Sequence, residues 1–222
     1  VCGSGMQAAI FAHDQIMLGS AKIAVAGGME SMTNAPHLLM NARSGIGTGH
    51  KEMLDCMFLD GLEDAYTANS MGKFAQETAD AHGLTREEMD VFAIESLNRA
   101  NQAIDEDILG DEIVPVSVKT RREEYVVRHD EQPQIAKVNK IPSLKPAFTR
   151  DGTITAANSS SISDGASALV LAGANHAEEL GLKPMAKIVA YGRHSLAPQL
   201  FTTAPIGAIQ KIFELTGWDK EP

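Results

Sequence analysis

VCGSGMQAAIFAHDQIMLGSAKIAVAGG, residues 1–28, decides the fold class. Met6, Ile10, Ile16 and Met17, with Ala8, Ala9 and Ala12 between them, spread apolar side chains around most of a helix. Such a helix is expected to be buried, and Gly19 ends it. Residues 22–26 then read as a short buried strand closed by Gly27 and Gly28, while Val1-Cys2 reads as the end of a preceding strand. Strand, helix, strand is a βαβ unit, so the expected class is layered α/β.

The corner between the first strand and the helix holds a cysteine. A thiolate is a strong nucleophile, and the N–H groups and positive dipole end of a helix favour thiolate over thiol. Gly3 and Gly5 are expected to let the chain turn sharply and let a substrate carbonyl approach the backbone. The backbone N–H of Cys2 is a candidate oxyanion donor. Strand–Cys–Gly-x-Gly–helix thus has the chemistry of the elbow that presents serine in hydrolases. A cysteine acting as a small buried hydrophobe is the other reading, and on residues alone the two stand level. Cys56, in MLDCMFLDG, has no such setting and reads as structural.

Outward from this block the texture changes. Residues 33–68 carry Pro36 and four glycines among charges and methionines, an excursion from the α/β core. A helix is expected over 69–81 and a second over 85–104, opened by a Thr85/Glu88 capping box. Strands follow at 112–118 and 124–128, joined by a basic turn at 119–122. The second dense block, TITAANSSSISDGASALVLAG (153–173), has a run of hydroxyls, a turn signal at Asp164-Gly165 and an apolar stretch from 166 to 172. A helix at 174–181, a strand at 185–192 and a helix at 206–216 opened by Pro205 complete the pattern.

Composition narrows the function. The chain of 222 residues is 44% hydrophobic and carries a net charge of −10, from 19 basic and 29 acidic residues. That balance disfavours nucleic acid and anionic membrane as partners. Two cysteines form no disulfide framework and suit a reducing, cytoplasmic setting. No histidine pair has metal-ligand spacing with a third partner, so no metal is expected. His13, on the first helix, reads as packed against a partner. The acidic groups of TREEMD and AIDEDILGDE read as solvated faces and caps. Met29, Met32, Met53 and Met57 read as an adaptable apolar wall, core before ligand pocket.

VCGSGMQAA followed by VAGGMESMTNAPH closely resembles the nucleophile region of the thiolases, and TAANSSSISDGASALVL resembles their second internal signature. NSMGKFAQETA and PIGAIQKIFELTGW fit the same family in the same order. The resemblance implies a partial thiolase-like layered αβαβα fold with an inserted α+β loop domain. Residues 1–32 would be part of the N-terminal core domain, 33–162 the loop domain that holds coenzyme A, 163–181 the return to the N-terminal core, and 182–222 the start of the C-terminal core. It implies an acetyl-CoA C-acetyltransferase, in which Cys2 takes the acyl group as a thioester in a Claisen condensation or its thiolytic reverse. Leu62, Ser70, Met71, Phe148, Ala156 and Ser160 match positions around the pantetheine tunnel or acyl pocket. Arg121, Arg122, Lys137, Lys140 and Lys145 are candidate cations for the anionic nucleotide end. Coenzyme A thioesters are substrates, no resident cofactor is implied, and a homo-oligomer, dimer or tetramer, is expected, with the 22–26 strand as the place to look for its interface.

The departures are specific. Ser70 stands where many acetoacetyl-CoA thiolases have a histidine, which opens the alternative of a longer-chain 3-ketoacyl-CoA thiolase of fatty-acid β-oxidation. DEQPQ lacks the basic residue that often follows the Asp-Glu pair. A ketoacyl or hydroxymethylglutaryl-CoA synthase, and a non-catalytic acyl-CoA-binding relative, are the remaining alternatives. The second catalytic cysteine, the Gly-His-Pro motif and the Asn-Glu-Ala segment of thiolases do not occur in this sequence. We therefore expect an internal piece of a longer protein that alone does not run the full reaction.

Overall fold

The computed structural model describes residues 2–219; the strand end expected at Val1 and the tail at 220–222 lie outside them. The chain forms two compact units, one from Val1–Phe74 and Ile162–Pro222, the other from Ala75–Ser161.

In the first unit, helix α1 (Ser4–Met17) leads into strand β1 (Ile23–Ser31). Strand β6 (Asp164–Ala172) pairs with β1 in antiparallel register, Ile23 opposite Ala172 and Ser31 opposite Asp164. The chain thus leaves this ladder and rejoins it at one place, and Thr33 N–H donates to the Asp164 carboxylate at 2.9 Å across that point. Ile10, Ala26, Leu171 and Ala177 are the buried apolar residues of α1, β1, β6 and α5 (Ala174–Glu179).

Three expectations are corrected here. No parallel strand pair occurs among the described residues, because the partner of β1 is β6. Gly27 and Gly28 do not close the strand; β1 runs through them. Asp164-Gly165 is not a turn, because both residues pair with β1.

The glycines explain why the strand continues. A Cβ on Gly27 would stand 2.1 Å from the Ser167 carbonyl oxygen, and one on Gly28 would stand 3.2 Å from the Cα of Gly5 on α1. Gly27 lets the paired strands approach, and Gly28 lets the start of α1 sit on the sheet. Gly3 has φ −81°, an ordinary value for any residue, so the corner after Cys2 draws on no special glycine conformation. Helix α1 is apolar around most of its circumference but buries only Ile10, since the two-stranded sheet of β1 and β6 covers one side of it. Met29 and Met53 are likewise exposed, and Met32 and Met57 half-buried, rather than core.

The hairpin of β2 (His37–Leu39) and β3 (Met53–Asp55) and a wide helical turn at Phe58–Leu62 fill out the excursion. Residues 185–192 form no strand: the segment has no ladder partner among the described residues. It packs instead on α6 (Ala204–Thr216), where a Cβ on Gly192 would meet the Ala208 carbonyl oxygen at 2.5 Å. Tyr191 from this segment donates its hydroxyl to the Asp14 carboxylate at 2.8 Å and meets the His13 ring edge-on at 5.7 Å. His13 is therefore packed against partners, as its place on α1 implied.

Helix α2 (Met71–Ala81) precedes helix α3 (Arg86–Asp105), which opens with the expected capping box, Thr85 and Glu88 each bonding the other's backbone N–H. The expected strand at 112–118 shortens to β4 (Val116–Lys119), paired with β5 (Glu124–Val127). Its first residues include Pro115, which lacks the N–H a ladder needs. Helix α4 (Glu131–Ile135) and a 3-10 turn at Val138–Ser143 complete the second unit, around Ala79, Ala93, Ile141, Ile154 and the fully buried Thr155.

Candidate active site

Cys2 is exposed and lies directly before Gly3, the residue that opens α1. No side chain caps the first turn. Cys2 therefore lies beside a helix start that no side chain caps, a setting that suits a nucleophile. In Cys56, by contrast, the thiol donates to Asp60 Oδ2 at 3.2 Å, and that hydrogen bond, with neighbouring carboxylates, pushes the thiol above its ordinary pKa.

Leu62, Ser70 and Met71 belong to the same unit as Cys2. Leu62 closes the wide turn at Phe58–Leu62, and Ser70 bridges back to Glu63. The Ser70 hydroxyl accepts from Lys73 N–H at 3.2 Å, so it serves as the cap of α2, which Met71 begins.

Phe148, Ala156 and Ser160 belong to the other unit, which holds a cleft of about 850 Å³. That volume falls within the roughly 300–1,000 Å³ typical of small-molecule pockets. Part of the lining is the segment 156–161, including Ala156 and Ser160; α3 contributes Met89, Phe92 and Leu97, and the stretch after α4 contributes Lys137 and Lys140. Phe148, Arg121, Arg122 and Lys145 lie outside this lining.

The hydroxyl-rich wall is held from within. Gln76 Oε1 accepts from the N–H groups of Thr153 and Ile154 at 2.8 and 3.1 Å. Asn158 accepts from Thr155 N–H at 2.7 Å and donates to the Thr153 carbonyl at 3.1 Å, while Ser159 donates to the Thr155 carbonyl at 2.7 Å. The side chains of Asn158 and Ser159 thus fix the loop, and Ala156, Ser160 and Ser161 are its exposed members.

The contribution of α3 was not anticipated from the sequence. Phe92 is 78% exposed on the cleft side, and Met89, Ala93, Leu97 and Ala100 extend its stripe at helical spacing. That spacing was the available signal. Asp90 corrects the reading of TREEMD as solvated: it is 6% exposed, paired with Arg86 one turn earlier at 2.8 Å. Among the described residues no group of three His, Cys, Asp or Glu side chains could hold a metal ion, and no helix is long and apolar enough to cross a membrane.

A layered sheet-and-helix unit with a cysteine at a helix start, and a second unit with a largely apolar cleft that carries a run of hydroxyls, define the class. Residues 1–175 match the family model for the thiolase N-terminal domain. The chain is 44% identical, over 98% of its length, to a probable acetyl-CoA acetyltransferase of Dictyostelium discoideum, of which it spans 53%. It superposes on the acetyl-CoA acetyltransferase of Syntrophomonas wolfei with a TM-score of 0.92 at 39% identity, covering 99% of this chain and 55% of that one. It also superposes on a thiolase of Ascaris suum in complex with coenzyme A, TM-score 0.90 at 38% identity, covering 100% of this chain and 56% of that one.

This chain belongs to the thiolase family, with a partial thiolase α/β fold. It spans about half the length of the curated relatives it matches.

Proposed function

We propose that the protein carries the acyl-accepting half of an acetyl-CoA C-acetyltransferase, with Cys2 as nucleophile and the cleft of the second unit as the coenzyme A site. The observation that carries this reading is that the segment 156–161 and the cations Lys137 and Lys140 line one cleft. Coenzyme A is a thin amide chain ending in phosphates, and such a ligand suits small residues, hydroxyls, apolar walls and cations in that combination. In the first step the Cys2 thiolate attacks the thioester carbonyl of acetyl-CoA. The C–S bond to coenzyme A breaks, the coenzyme leaves as a thiolate that takes up a proton, and the acetyl group remains on Cys2. In the second, the enolate of another acetyl-CoA attacks that thioester and expels the Cys2 thiolate. The sequence holds no third cysteine and no Gly-His-Pro segment to supply the acid/base of that step. The same reading includes coenzyme A thioesters as substrates rather than cofactors, a homo-oligomer and a cytoplasmic setting. A 3-ketoacyl substrate longer than acetoacetyl is the second reading, favoured by the small Ser70 where a histidine would narrow the acyl pocket.

The test is intact-mass and peptide-map analysis after incubation with acetyl-CoA. One acetyl group is expected on Cys2, absent in Cys2→Ala, with no net thiolysis of acetoacetyl-CoA by this chain alone. Acetylation spread over lysines, or equal in Cys2→Ala, overturns the assignment.

A further inference from the structure

Arg86 has no part in the reading above, yet it joins two walls of the cleft. Its Nε donates to Asp90 Oδ2 at 2.8 Å, and one terminal nitrogen donates to the carbonyls of Ile141 and Leu144, both at 3.0 Å, with the Pro142 carbonyl at 3.5 Å. Those carbonyls lie at the end of the 3-10 turn Val138–Ser143, where helical backbone runs out of its own donors. A guanidinium is a rigid planar fork with five donors, able to meet a carboxylate along one edge and carbonyls along another. The Arg86 side chain is 20% exposed and that of Asp90 8%, and Asp90 Oδ1 has no hydrogen-bond partner. A buried carboxylate with one free oxygen is a costly way to gain stability. It is an effective way to hold a guanidinium in one orientation.

The residues that the guanidinium fixes are cleft residues. Lys140, Ile141 and Leu144 line the cleft from the tethered turn, and Glu88 and Met89 line it from the turn of α3 that carries Arg86. We propose that Arg86, oriented by Asp90, is the positioning residue of the cleft, setting the distance between α3 and the wall that bears Lys140. The proposal rests on the coenzyme A reading of that cleft.

The test is isothermal titration of the full chain with coenzyme A. The double variant Arg86→Met/Asp90→Leu removes both charges at similar volume, a replacement that buried ion pairs often tolerate. Coenzyme A affinity is expected to fall about tenfold or more, the scale of losing hydrogen bonds to a charged group. Alkylation of Cys2 by iodoacetamide, in the other unit, keeps its parent rate. Arg86→Lys keeps the charge beside Asp90 but lacks the fork, and an intermediate loss is expected. Parent-like affinity in Arg86→Lys and in the double variant overturns the proposal, as does an equal loss of Cys2 reactivity, which would mark general unfolding. If the parent itself binds no coenzyme A, the reading of the cleft fails. The clamp is then decided by amide exchange over 138–144, expected faster in Arg86→Lys and overturned if unchanged.

Discussion

Cys2 and Cys56 share a side chain and differ in everything around it. Cys2 is exposed at an uncapped helix start, whereas Cys56 is half-buried and spends its proton on Asp60. A thiol that donates to a carboxylate resists ionisation, since the thiolate would face that negative charge. Iodoacetamide is therefore expected to label Cys2 first. Asp60→Asn should speed alkylation of Cys56 severalfold and leave Cys2 as it was, read by peptide mapping over a time course; an unchanged Cys56 rate would remove the carboxylate as the cause. The place of Cys2 before a helix was legible in its own motif, and Ala156 and Ser160, singled out by resemblance, lie in the cleft wall. The clamp made by Arg86 was not legible, because the carbonyls that Arg86 holds lie more than fifty residues away, at the end of a 3-10 turn. Local spacing shows an ion pair at i and i+4 but carries no sign of the carbonyls it holds.

Among the elements, the ladder of β1 and β6 offers the sharpest contrast. Gly27→Ala places a methyl group against the Ser167 carbonyl oxygen, where only backbone movement can make room. Overpacking of this kind costs about 1–3 kcal/mol, expected as a lower urea midpoint at an unchanged slope. Gly165, in the partner strand, faces open space, so Gly165→Ala should be neutral or stabilising by up to about 1 kcal/mol, since glycine weakens a strand interior. Equal effects at the two sites would mean that the close approach of strands is not what Gly27 serves. The Gly-Gly pair was read as a strand end because glycine commonly punctuates. It is a strand interior because β6, arriving from residue 164 onward, presses on it. The capping box of α3 was legible to the residue because both its donors and acceptors lie within four positions. The strand expected at 185–192 failed for the converse reason: its composition suits a strand, but a strand exists only where a partner pairs with it.

At the scale of the molecule, three carboxylates contribute stability that acid removes. Asp164 is held below its ordinary pKa by the Thr33 backbone N–H, Glu88 by the Thr85 backbone N–H, and Asp14 by the Tyr191 hydroxyl and then His13. Each joins segments or closes a helix end, so each charge is bonded only in the folded chain. A carboxylate whose folded pKa is depressed stabilises fully above its unfolded value, about 4. That contribution fades as the pH falls through the folded value, because below it both states are protonated. Glu88→Gln and Asp164→Asn keep an acceptor oxygen for the same N–H groups but cannot titrate. The double variant is expected to be less stable than the parent at neutral pH. Its stability should fall less steeply between pH 5 and 2, by at most about one proton per site in the slope, and the two curves should converge in acid. Urea titrations across that range measure it. Parallel curves would show that these carboxylates are bonded equally in the unfolded chain, and that the contact from Thr33 to Asp164, where the chain leaves and rejoins the sheet, contributes by its geometry rather than by its charge.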